Sequence, residues 1–332
     1  VYLAPTVKRA VSRPALFHVK HPIAKESPLS EPTQKPTTPP LCDYEGSSYR
    51  TDFWEGRGRE YEDLAERIAL RRLLPPQGER LVDIGGGFGR LVDLYSSYAE
   101  VVLMDPSRSL LAEAQQRIQR PGMTYVTANI YSMPFPVAAF DTVVMVRVLH
   151  HLSDVPQAFQ AIQQVLRPGG SFVLEYANKR HLKAIARYFL GRQTENPFST
   201  KPWEFQPLHF DFHPAYVTQQ LRQAKLTLQR TLPVSYFRAP FLKRLIAPGR
   251  LAAMDGWLQP LTEWLPLTPS VFTRSIKSGG LTPLSEPLFR CPRCHGARLV
   301  PESDILVCLD CSARWDKSGD IYDFRQPLDS AH

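Results

Sequence analysis

An α/β protein built on a largely parallel sheet is predicted by three features of the 332-residue chain. Short β-rich runs alternate with helix-length amphipathic stretches from about residue 60 to residue 175, the pattern of βαβ units. The first of those runs breaks into the glycine corner Gly85-Gly86-Gly87-Phe88-Gly89, where a strand turns sharply into a loop that a ligand can approach closely. Near the C-terminus, two Cys-x-x-Cys pairs predict a small unit held by metal.

Taken in order, residues 1–45 form a Pro/Ser/Thr-rich stretch without periodicity and are expected to be disordered. The first forty residues carry six Lys/Arg against Glu26 and Glu31, half of the chain's net charge of +8. Cys42, at the end of this tail, reads as an unpaired thiol. Glu60–Leu74 has apolar residues at helical spacing and is stopped by Pro75-Pro76. Strands are expected at Leu81–Ile84, Val101–Met104, Met123–Val126, Thr142–Val146 and Ser171–Leu174. Helices are expected between most of them, at Leu91–Tyr98, Arg108–Ile118 and Val155–Leu166. Asn178–Arg192 is basic and helical in pattern. Leu226–Val234 and Ser270–Ser278 lack a crossover helix of normal length between them, which predicts an antiparallel edge. The proline-broken, aromatic insert at 235–268 reads as a lid over the end of the sheet.

Composition narrows the functional classes. A hydrophobic content of 43% is that of a globular protein. No apolar run approaches the ~18 residues that cross a bilayer. No signal-peptide core is visible near residue 1, so a cytoplasmic location is expected. Phe212–Met254 holds seven Lys/Arg and no acid, a face that can attract nucleic acid or anionic lipid and can equally be a solvated helix surface.

The chemistry-bearing residues cluster at expected strand ends. Asp105 closes the second strand 22 residues after Asp83, where a carboxylate can accept both hydroxyl protons of a ribose. A dinucleotide fingerprint wants a glycine at position 90, which is Arg90, so the NAD-linked reading is disfavoured. Asp83–Gly89, Asp105, the stretch Asn129–Phe135, Phe140-Asp141, Val148–Leu152 and Leu166-Arg167-Pro168-Gly169-Gly170 together resemble class I S-adenosylmethionine-dependent methyltransferases, nearest the type 11 methyltransferase family. The resemblance covers about residues 46–280. It implies a Rossmann-like sheet of seven strands, mostly parallel with one antiparallel edge strand, and S-adenosyl-L-methionine as cofactor. It places Gly85, Gly87 and Gly89 against the methionine portion, oriented by Asp83, with Asp105 on the ribose and Asn129 and Ile130 bracketing the adenine. Arg147 would lie near the methionine carboxylate or the substrate mouth. The family often has Asp where this chain has Asn129, so an adenine contact there would be a neutral one. If the acceptor must lose a proton, His151 is the first candidate base, followed by His150 and Glu175.

Cys291, Cys294, Cys308 and Cys311 supply the four thiolates that tetrahedral zinc wants, a disulfide pair being the alternative. The segment 286–326 resembles the small zinc-ribbon activator subunit of translation-related methyltransferases, although Gly319-Asp320-Ile321-Tyr322 departs from that pattern's usual turn. A structural Zn2+ is expected there, remote from the chemistry, so that chelation would unfold the tail and spare cofactor binding. The acceptor is left open by the sequence. An apolar small molecule, quinone or lipid leads; RNA or a translation factor, met by the basic face and the ribbon, is the alternative. An oxidoreductase and a non-catalytic cofactor-binding scaffold come behind these.

Overall fold

The computed structural model describes residues 39–328 except 41, 43, 48, 55 and 57, so the expected disorder of residues 1–38 lies outside the described residues. A short helical turn, Arg50–Trp54, precedes α1 (Glu60–Leu73) and β1 (Gly78–Ile84). Next come β2 (Tyr98–Asp105), α2 (Arg108–Arg117), β3 (Met123–Thr127), β4 (Phe140–Met145), α3 (Val155–Val165) and β5 (Leu166–Ala177). The C-terminal half adds α4 (Leu182–Phe189), the hairpin β6 (Trp203–Gln206) and β7 (His209–Asp211), α5 (Pro214–Gln223) and β8 (Leu226–Val234). It continues through α6 (Pro240–Leu245), α7 (Pro248–Leu261), β9 (Ser270–Lys277), β10 (Leu299–Glu302), β11 (Ile305–Cys308), β12 (Arg314–Asp316) and β13 (Ile321–Asp323).

The seven expected strands are present in the order β3-β2-β1-β4-β5-β9-β8, parallel from β3 to β5. Two expectations need correction. The antiparallel strand is β9, which pairs antiparallel with both β5 and β8 and so lies one place inside the edge. The sheet also does not stop at seven strands. β13 adds in parallel to β3, with Tyr322 opposite Val126, and carries β12, β11 and β10 with it to make eleven. The cause is apolar: Phe289 stacks at 6.0 Å on Phe135 and packs on Tyr322 and Phe324, so the ribbon's small core continues that of the sheet. A third difference is local. Leu91–Tyr98 holds only a 3-10 turn, Val92–Tyr95, because β2 begins at Tyr98 and leaves no room for a longer helix.

Two apolar cores flank the sheet, one under α3 and α5 and one under α1, α2 and α7. α1 presents Tyr61, Ala65, Ala69, Leu70 and Leu73 inward at helical spacing. Among these apolar positions it also buries the carboxylate of Glu66 completely.

Candidate functional site

The carboxyl ends of β1, β2 and β4 and the loop after β3 open into a cleft. Its floor is the glycine corner. Gly85 and Gly86 donate backbone N–H groups to Met104 O at 2.7 and 3.2 Å, pinning the turn against β2. Gly85, Gly87 and Gly89 all have positive φ, but Gly87 differs from the other two in what surrounds it. A Cβ on Gly85 would meet Val148 at 2.1 Å and one on Gly89 would meet Ile118 at 2.4 Å. A Cβ on Gly87 would meet no atom closer than 3.7 Å, so its bare backbone serves the cleft rather than internal packing.

Asp105 is buried at the end of β2. Its Oδ2 accepts from Gly87 N at 2.9 Å and its Oδ1 from Ser107 N at 2.8 Å. This carboxylate therefore joins the second strand to the glycine corner while facing the cleft. Asp83 accepts a hydrogen bond from Tyr95 Oη at 2.8 Å; burial raises its pKa to about 7, against the lowering effects of Tyr95 and Arg90.

Of the residues singled out in the sequence, Asp83, Gly85, Gly87, Asp105, Ile130, Arg147 and His151 line the cleft. Gly89, Asn129, His150 and Glu175 do not. Asn129 spends its Oδ1 on Tyr131 N, capping the turn Ile130–Ser132. Glu175 accepts from Arg147 N at 2.9 Å and from Ser270 Oγ at 2.6 Å. His150 is packed against His151, its ring 3.9 Å away, and burial holds it neutral. His151 has a defined tautomer: Nδ1–H donates to Leu208 O at 3.2 Å, and Nε2 accepts from the Tyr44 hydroxyl at 3.1 Å. Burial and the neighbouring His209 lower its pKa to about 4.

Arg147 sits at φ 60°, a left-handed conformation that costs a non-glycine residue energy and is characteristic of functional sites. Its guanidinium ion-pairs with Glu66, which also holds Arg90 Nη2 at 2.9 Å. Arg90 lies 3.9 Å over the Trp54 ring. The position that spoils a dinucleotide fingerprint thus anchors the cleft's wall.

That wall was missed in the sequence. Cys42, Tyr44, Tyr49 and Trp54 all line the cleft, although residues up to 45 read as tail. The segment is tied down by Glu45, whose carboxylate accepts from Arg108 N at 2.6 Å and Ser109 N at 3.1 Å at the start of α2. Acids and aromatics scattered through residues 43–55 have no periodicity to betray this role.

The four ribbon cysteines converge. Cys291 and Cys311 sulfurs are 3.7 Å apart, Cys294 and Cys308 sulfurs 3.5 Å, and all four lie within 4.8 Å of one another. Ligands about 2.3 Å from a tetrahedral zinc are ~3.8 Å apart, so the set fits that ion, whereas a disulfide needs about 2.05 Å. The ribbon also reaches the cleft. Arg108, in the first turn of α2, donates to Asp316 at 2.7 Å and to Ser318 O at 2.6 Å, and Arg325 donates to Pro106 O at 3.2 Å. Pro106 follows Asp105 and lines the cleft.

A 121-residue stretch is 31% identical to the ubiquinone/menaquinone biosynthesis C-methyltransferase UbiE of Edwardsiella ictaluri, covering 34% of this chain and 48% of that protein. The UbiE of Shewanella frigidimarina is 32% identical over 113 residues, 31% of this chain and 45% of the relative. The chain thus matches about half the length of these relatives. An S-adenosylmethionine-dependent methyltransferase structure from Mesorhizobium loti superposes with a TM-score of 0.46 at 20% identity, over 65% of this chain and 99% of that one. Residues 82–174, from within β1 to within β5, match the family model described as a methyltransferase domain.

Proposed function

We propose that the protein is an S-adenosyl-L-methionine-dependent methyltransferase whose acceptor is an apolar small molecule of the quinone or lipid kind. The observation that carries this reading is the buried Asp105 carboxylate, hydrogen-bonded to the glycine corner at the mouth of the parallel strands. That arrangement suits a ligand with ribose hydroxyls and a second portion lying on bare backbone. The names of the UbiE relatives support the acceptor class.

The bound cofactor would supply an activated methyl group on a sulfonium. The chain's part is orientation and dryness. Asp105 accepts from the ribose hydroxyls, Gly85 and Gly87 admit the methionine portion, and Ile130, Leu110 and Leu152 offer an apolar wall to the adenine. Asn129, its side chain spent on a cap, contributes through its backbone. Arg147 is neutralised by Glu66 and shapes the mouth together with Trp54, 4.8 Å away. His151 presents an unprotonated Nε2 that an acceptor proton reaches by displacing the Tyr44 hydroxyl. So weak a base leaves most of the rate to positioning and the exclusion of water. Cys291, Cys294, Cys308 and Cys311 would hold one structural zinc with no position open to substrate.

Titration calorimetry with S-adenosylhomocysteine and with NAD tests the cofactor; binding NAD alone would end this reading. Transfer of labelled methyl from S-adenosylmethionine to cell extract tests the acceptor. Label is expected in the organic-soluble fraction, and label in RNA or protein would move the acceptor to another class. Asp105→Ala is expected to weaken S-adenosylhomocysteine binding by about 1.5–3 kcal/mol, the worth of charge-assisted hydrogen bonds. An unchanged Kd would reduce Asp105 to an anchor for its loop. Because burial raises Asp83, its carboxyl is protonated below about pH 7 and ionised above it. Affinity for the amino-bearing ligand should therefore rise as pH increases through 7, and Asp83→Asn should flatten that rise.

A further inference from the structure

Between Tyr176 and Trp264, thirteen Lys/Arg face five Asp/Glu, and four of the five acids are occupied or hidden. Glu195 pairs with Lys179 at 2.6 Å and Glu263 with Arg230 at 2.8 Å; Glu204 accepts from Leu208 N, and Asp255 is fully buried. The same segment carries most of the large apolar side chains exposed among the described residues. On α4 they form one stripe. Leu182, Ala186, Phe189 and Leu190 follow each other at i, i+4, i+7 and i+8, with Leu182 65%, Phe189 74% and Leu190 65% exposed. Lys183 and Arg187, also i, i+4, run beside that stripe, while Ala184 faces the protein. α7 repeats the design. Its inner face, Leu251, Ala252, Asp255 and Gln259, is buried, and its outer face presents Met254, Trp257 and Leu261, continued by Trp264. Trp257 is 69% and Trp264 77% exposed. The two elements meet where Leu182 N donates to Leu267 O at 2.8 Å, three residues beyond Trp264.

A helix with an outward apolar stripe, tryptophans and flanking cations is built to lie in a lipid headgroup layer, where rings sit at the boundary and Lys/Arg meet lipid phosphates. No described helix is long and apolar enough to cross a membrane, so the contact would be peripheral. We infer that α4 and the α7–Trp264 segment form a docking face for an anionic lipid bilayer. The purpose rests on the proposed apolar acceptor, which would partition into that bilayer; the docking itself does not depend on it. α4 follows β5 and α7 leads into β9, both at the end of the sheet where the cleft opens, which puts the docking face on the acceptor's side of the molecule.

The test is co-sedimentation of the full chain with vesicles of phosphatidylcholine alone and of phosphatidylcholine with one quarter phosphatidylglycerol. Binding to the anionic vesicles is expected to exceed that to the neutral ones about tenfold and to fall with added salt. Phe189→Ser with Leu190→Ser, Trp257→Ser with Trp264→Ser, and Lys183→Glu with Arg187→Glu should each abolish most of it. These positions are exposed, so S-adenosylhomocysteine binding by calorimetry should be unchanged and reports both folding and the cofactor reading separately. Equal binding by wild type and all three variants would overturn the assignment, as would a chain that ignores both vesicles. Self-association in analytical ultracentrifugation that the Trp variants abolish, without vesicle binding, would give the face to a second copy instead. Failure of S-adenosylhomocysteine binding with vesicle binding intact would strike the methyltransferase reading and leave the docking face standing.

Discussion

Glu66→Ala is expected to cost about 3–5 kcal/mol of folding stability, the usual consequence of stripping buried cations of their counter-charge. Glu66 is fully buried on α1, and its carboxylate holds both Arg147 and Arg90, whose side chains are themselves only 14% and 13% exposed. Burial alone would raise its pKa, yet Arg147 and Arg90 prevail and the net shift is downward. A depressed carboxyl stabilises the folded state above its unfolded pKa, near 4.3, and loses that contribution as pH falls through the lower folded value. Urea unfolding of the variant at pH 7 measures the loss. A change below about 1 kcal/mol would mean that water screens this cluster as it does surface pairs. Since Arg147 carries the strained backbone of the cleft, ligand binding should weaken in the variant even at temperatures where it stays folded.

The second large effect concerns zinc, whose binding to small ribbons is worth on the order of 10–16 kcal/mol in apparent free energy. Chelation, or Cys308→Ser at a fully buried cysteine of the proposed zinc site, is expected to unfold the segment after Pro287. Seen as a remote tail, the ribbon would leave cofactor binding untouched when it melts. The ion pair of Arg108 with Asp316 and the Arg325 bond to Pro106 predict otherwise. Loss of both loosens the loop that follows Asp105, so S-adenosylhomocysteine affinity should fall by about tenfold or more, roughly 1.4 kcal/mol. Elemental analysis should find about one zinc per chain before treatment. An affinity indifferent to chelation would show that the 105–108 loop stands without the ribbon, and a protease-resistant tail would show that the ribbon folds without metal.

What the sequence disclosed was what local pattern can carry. Leu81–Ile84 and Val101–Met104 are apolar runs too short for helices, Gly85–Gly89 is a turn with a mechanism, and the cysteine spacing marks four sulfurs that converge. What it concealed depends on partners far along the chain. Glu66 looks like one more charge between the apolar positions of an amphipathic helix, and only Arg90 and Arg147 make it an interior group. β13 has three residues, too few for any periodicity, and its pairing with β3 joins positions nearly two hundred apart. Tyr44 and Trp54 sit among charged and small polar residues with no repeat to mark a wall. His151 was visible as a candidate, but its tautomer comes from Leu208 on a distant hairpin.

The attachment of β13 to β3 has a consequence for solubility. A sheet that ended at β3 would offer the unpaired N–H and C=O groups of Tyr125–Thr127 to any other extended chain, and mostly buried apolar residues sit on that strand. The ribbon closes that flank and moves the free border out to β10, four residues long, broken by Pro301 and ending in Glu302. At the opposite border β8 carries a register break between Leu228 and Arg230, and Pro233 further along. Both borders are thus poor templates for intermolecular strand addition. A chain deprived of its ribbon should aggregate before it loses its sheet, because what has been uncovered is an adhesive edge.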